Sequence, residues 1–148
     1  MPVLLRNALA LVAGIIIGGA VNMGLITLSP TLIPPPVGVD VTNPESLAAS
    51  IHLFGPRHFV MPFLAHALGT FVGALTAFLI AVTHRERIAF VIGVFFLAGG
   101  IGAAFMIPAP AWFLVLDLVV AYLPMAWLAI QAGSGLQRGG VTASPSVA

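Results

Sequence analysis

The chain has 148 residues, 60% hydrophobic and 6% charged, with a mean hydropathy of +1.15. A soluble domain carries roughly 25% charged residues, so there is too little polar surface here to cover a water-soluble globule. The net charge of +1, with no lysine, provides no basic patch for nucleic acid and no amine for a Schiff base or phosphate loop, and the absence of cysteine excludes disulfides, thiolate metal sites, iron–sulfur clusters and cysteine nucleophiles.

The first apolar run, residues 8–28, is interrupted only by Asn22 and Thr27. About 20 such residues, each rising about 1.5 Å, cross a hydrocarbon core roughly 30 Å thick. A signal peptide also opens with a positive charge and an apolar stretch, but no small-x-small cleavage site follows before Ser29, so the helix is expected to be retained. Residues 29–57 form a long polar connection. Its proline triplet, Pro34, Pro35 and Pro36, is incompatible with a helix interior and is expected to run as extended polyproline II. Thr42 and Glu45 have the spacing of a capping box. The segment they open, residues 46–54, is too short to span and is expected to lie at the interface until Gly55 and Pro56 stop it.

Residues 59–82 and 88–107 are the second and third spans, joined by a turn so short that they must be antiparallel neighbours. His84, Arg85, Glu86 and Arg87 are expected to form a solvated turn. Pro108 and Pro110 close the third span, and residues 112–130 make the fourth, with Trp112 and Trp127 expected near its two ends, where indole rings favour headgroup depth. From Gly133 to residue 148 the Gly/Ser-rich composition predicts a disordered tail. The expected fold is therefore an all-α polytopic membrane protein, with residues 1–132 forming four antiparallel transmembrane helices and a short interfacial helix in the first connection. Arg6, Arg85, Arg87 and Arg138 fall on one side and Arg57 on the other. The positive-inside rule then places both termini in the cytoplasm of a plasma or inner membrane.

Rows of small residues allow helix backbones to approach one another in lipid. The first span has Ala10, Gly14, Gly18 and Asn22, the second Ala65, Gly69, Gly73, Ala77 and Ala81, and the third Ala89, Gly93, Gly100 and Ala104. Gly14, Gly18, Gly69, Gly73, Gly93 and Gly100 are the expected packing positions.

One carboxylate, Asp117, interrupts the fourth span. A charge near the centre of a membrane helix costs about 3 kcal/mol on insertion scales, so such a residue calls for a partner or a cavity. Counting from the outer ends at about 1.5 Å per residue places Asp117, His66 and Asn22 roughly 7 to 11 Å deep. His66 lies about 20° from the projection of Gly73, on the border of the small-residue face. Asp117 and His66 are therefore the expected pair, with Asn22 in the same layer and Gly99, Gly100 and Gly102 leaving room beside it. Tyr122 needs an acceptor for its hydroxyl, and Pro124 frees the Val120 carbonyl, so a kink there either holds a packed tyrosine or shapes a cavity beneath Asp117.

Such a layer either fixes helix register or binds a proton or small solute. His52, His58 and His66 are weaker candidates as metal ligands, because His58 and His66 stand about 12 Å apart along a straight helix; no metal site is assigned to them. No zinc-protease, nucleophile-elbow or dinucleotide fingerprint occurs, no catalytic residue emerges and the sequence names no cofactor. The leading reading is a carrier or permease-like protein using the Asp/His layer. The alternatives are a structural or accessory subunit of a membrane complex and a metal- or cofactor-dependent membrane enzyme. Expected partners are the lipid bilayer and either further copies of the chain or a membrane partner protein.

Overall fold

The computed structural model describes residues 1–142, and no strand occurs among them. Four helices are long and apolar enough to cross a membrane. Helix α1, Val3–Leu32, runs past the expected end at Leu28 and takes Ser29 and Pro30 into its last turns. A proline so near the C-terminus removes only one helical hydrogen bond, and the helix then closes with the Ile33 amide donating to the Ser29 carbonyl at 2.8 Å. The proline triplet is non-helical. It leads into a turn in which Gly38 adopts φ +84° and the Val39 amide donates to the Pro36 carbonyl, a backbone conformation that glycine tolerates without a Cβ penalty.

The short helix α2, Pro44–Ser50, is capped by Asn43, whose side chain accepts from the amides of Glu45 and Ser46. This corrects the expected Thr42–Glu45 capping box. Pro44 is suited to the first helical position, which makes the residue before it the cap. Thr42 is drawn backwards instead, its amide and hydroxyl both donating to Asp40 Oδ1 at 2.8 and 2.6 Å. Two 3₁₀ turns, Ile51–Leu53 and Pro56–Phe59, lead into α3, Val60–Ile80.

Helix α3 lies at the centre of the molecule. Nine of its residues are buried, against three each in α1 and in α4, Arg85–Met106. The link between α3 and α4 is tighter than expected. His84 takes a left-handed conformation at φ 51°, and Arg85, Glu86 and Arg87 form the first turn of α4, with His84, Glu86 and Arg87 exposed as expected.

The fourth span comprises α5, Ala111–Val120, and α6, Leu123–Thr142, with a break at Ala121 and Tyr122. Pro124 has no amide to offer the Val120 carbonyl, which is the local cause of the break. Helix continues through Gly133 to Thr142, so the expected disordered tail does not begin at Gly133. A Cβ on Gly133 would run into the Phe78 ring, so this glycine seats α6 on α3 rather than opening a linker. The remainder of the expected tail, residues 143–148, lies outside the described residues. The helical segment that contains the fourth apolar run extends to Arg138.

The small-residue rows meet face to face. A methyl group on Gly14 would lie 2.7 Å from the Gly73 carbonyl oxygen, one on Gly18 2.6 Å from that of Gly69, and one on Gly93 2.7 Å from the Ala126 methyl. None of these distances leaves space for a side chain. At the same end of the molecule Ala74, Ala77, Phe78, Ile92, Ala129 and Ile130 belong to one buried apolar cluster. Arg6 Nε donates to the Ile80 carbonyl, and Asn7 accepts from the Val82 amide while donating to the Thr83 hydroxyl. The outward faces are large and apolar, with Ile16, Val94, Phe105 and Val119 among the exposed side chains, as contact with lipid requires.

Candidate functional site

At the opposite end, beneath the long connection, the helices separate around a cavity of about 510 Å³. Its walls come from the last turns of α1 and α4 and the first turns of α3 and α5. Leu47, Ile51 and Phe54 cover it from the connection. Leu47 comes from α2, Ile51 from the following 3₁₀ turn and Phe54 from the extended residue that ends it.

His66 on α3 and Asp117 on α5 line the cavity floor. His66 Nδ1 stands 2.9 Å from both carboxylate oxygens of Asp117, and the Tyr122 hydroxyl donates to Asp117 Oδ2 at 3.0 Å. The Tyr122 and His66 rings stack, with centroids 5.7 Å apart and an interplanar angle of 29°. Asp117 is 4% exposed and Tyr122 1%, whereas the His66 side chain retains 21%. The carboxylate is thus enclosed by two donors, and the imidazole forms its accessible face. An ionised carboxylate only accepts, so Nδ1 carries the hydrogen and Nε2 of the neutral ring is left as an acceptor.

Two further residues hold this cluster: Thr70, which did not stand out in the sequence, and Gly100, which the sequence placed beside the layer. The Thr70 hydroxyl, fully buried, donates to the His66 carbonyl at 2.8 Å, fixing the turn that carries the imidazole. Gly100 on α4 makes room for Tyr122, since any Cβ there would collide with the phenol oxygen. Gly99 and Gly102 play no such part, with nothing within 4 Å of an added Cβ. The signal for Thr70 was its position four residues after His66, where a threonine hydroxyl reaches back along the helix.

Asn22 falls outside the cluster. It packs against Gly69, with its Cβ 2.9 Å from where a Gly69 methyl would lie. Its position on α1 turns it towards the α1–α3 contact. The three histidines considered as metal ligands are dispersed. His52 is exposed on its 3₁₀ turn. His58 uses both ring nitrogens, Nδ1 accepting from the Gly55 amide at 3.0 Å and Nε2 donating to the Pro34 carbonyl at 3.2 Å. Among the described residues no three His, Asp or Glu side chains come together as a metal site would require.

Comparison with known proteins adds no relative: no family model, curated protein or solved structure matches the chain.

Proposed function

We propose that this chain is a membrane carrier or permease-like protein that admits a small, largely apolar molecule to the cavity above Asp117 and exchanges a proton with it through His66. The observation that carries this reading is the position of the Asp117–His66–Tyr122 cluster at the floor of an otherwise apolar cavity. A pair serving helix register alone needs no opening. Here Asp117 is enclosed while the imidazole edges the cavity, the arrangement a proton-accepting group requires. A ligand hydroxyl or amine would donate to Nε2, and on full transfer the imidazolium would remain paired with the Asp117 carboxylate at 2.9 Å.

The membrane topology belongs to the same reading. Contact of Gly14 with Gly73 and of Gly18 with Gly69 supports antiparallel α1 and α3. With the arginine bias, the spans form an antiparallel bundle with both termini cytoplasmic and the cavity opening outward. Four spans provide few walls for a complete path, so the carrier works as a homo-oligomer.

Native mass spectrometry of the detergent-purified protein tests the assignment. The wild type should retain a small bound mass that both Asp117→Asn and His66→Ala lose without a change in subunit number. Bare spectra for all three would reject the binding site, and a stoichiometric partner protein would assign an accessory role instead.

A further inference from the structure

A second concavity lies at the far end of the molecule, between the start of α4 and the end of α6, with a volume of about 710 Å³. Its rim carries Arg87 and Arg138, and Glu86 beside them, so two guanidiniums stand against one carboxylate for a net charge of +1. Its walls are mixed, with Phe90, Val94 and Trp127 standing beside Gln131 and Ser134. From Arg138 to Trp127 the groove extends about 16 Å down the helix, and from Arg87 to Val94 about 11 Å. Trp127 is 53% exposed within a span long enough to cross the bilayer, where acyl chains are the available neighbours.

A positive rim beside an open groove that presents Phe90, Val94 and Trp127 matches a molecule with an anionic head and long hydrocarbon chains. We propose that this groove is a binding site for one anionic glycerophospholipid, its phosphate held by Arg87 and Arg138 and an acyl chain lying against Phe90, Val94 and Trp127. Guanidinium groups suit a phosphate because their paired N–H donors match its oxygens. Glu86 opposes the anion and limits the preference to that of one net positive charge. The site stands on the membrane reading and is independent of the cavity above Asp117.

Trp112 and Trp127 are the two tryptophans of the chain, so a Trp112→Phe background leaves Trp127 as the single reporter. The protein is reconstituted in phosphatidylcholine vesicles containing brominated-chain phosphatidylglycerol or, at the same mole fraction, brominated-chain phosphatidylcholine. One net charge at a membrane surface is worth about 1 kcal/mol, so brominated phosphatidylglycerol should quench Trp127 with about fivefold higher apparent affinity. Arg87→Gln with Arg138→Gln should remove that preference, Arg85→Gln should preserve it, and Glu86→Gln should enlarge it. Equal quenching by the two lipids in the unaltered groove would overturn the proposal without recourse to any charge variant. So would a preference that survives the double substitution, one lost equally in Arg85→Gln, which would indicate diffuse surface charge, or one relieved by soluble glycerol phosphate, which would indicate a free-anion site.

Discussion

The two ends of this helix assembly solve opposite problems with the same helices. At the end bearing the α3–α4 turn, glycine rows bring backbones so close that an added methyl would lie 2.6 to 2.7 Å from a facing carbonyl oxygen. At the other, α1, α3, α4 and α5 diverge around a cavity of about 510 Å³, covered by a connection with one short helix. Contact at the first end depends on missing side chains. At the second, apolar contacts such as Phe59 with Phe113 are joined by hydrogen bonds from His66 and Tyr122 to Asp117. Removing space should therefore damage the closed end, and removing hydrogen bonds should damage the open one.

The largest effect is expected at the closed end. Gly73→Leu should prevent α1 from seating on α3 and abolish a cooperative unfolding transition in detergent. The milder Gly73→Ala should cost about 2 to 3 kcal/mol, because the obstructing atoms are backbone and cannot turn aside. Gly99→Ala is the control. With open space around it, this change should be neutral or stabilise by up to about 1 kcal/mol, and comparable losses at both glycines would break the distinction.

Next comes the floor of the cavity. Asp117→Ala strands the His66 N–H and the Tyr122 hydroxyl, so a loss of about 2 to 3 kcal/mol is expected in the same unfolding assay. Asp117→Asn should retain most of that stability and still lose the bound mass. Equal stability losses in the two variants would reduce the carboxylate to a structural plug. Tyr122→Phe removes one hydrogen bond and should cost about 1 kcal/mol. Gly100→Ala should do at least as much by displacing the same hydroxyl, and adding it to Tyr122→Phe should reveal non-additivity, since both act on one contact.

The smallest effect lies in the cover. The Thr42 hydroxyl and amide hold the Asp40 carboxyl below its ordinary value of 3.8. A carboxyl with a depressed folded value contributes stability above the unfolded value and loses it as pH falls through the folded one. Hydrogen exchange at the Thr42 amide should therefore become less protected as the medium is acidified below about pH 4, after allowance for the intrinsic exchange rate. In Asp40→Asn that additional loss should disappear. The same loss in both proteins would mean that the cover does not depend on this carboxyl.

Much of this division was legible in the sequence because two strong signals carry it. Long apolar runs mark helices that suit lipid, and a lone Asp117 amid them demands a partner, for which His66 has the right depth. What stayed illegible depends on azimuth and on three-dimensional neighbours. Gly99, Gly100 and Gly102 look alike in a string, yet only Gly100 faces the Tyr122 phenol. Asn22 was grouped with His66 by counting along the helix, but it packs against Gly69 in the α1–α3 contact. Gly133 reads by composition as the start of a disordered tail, whereas its missing side chain receives Phe78. Asn43 displaced Thr42 as the cap because the proline after it sets the first helical residue, a local rule that the capping-box spacing obscured.

The break at Ala121 and Tyr122 gives α5 the character of a lever. It is ten residues long, about 15 Å, and joins α6 where the backbone ladder is interrupted. Asp117, near the joint, is tied sideways to His66 and Tyr122, while Trp112 and Phe113 occupy the far end. A tilt of about 10° at the joint would carry that far end through about 2.5 Å, comparable to the width of a water molecule. Trp112 and Phe113 pack on Phe59 at that far end, so Phe59 there and the contacts of Asp117 near the joint together set the tilt of α5.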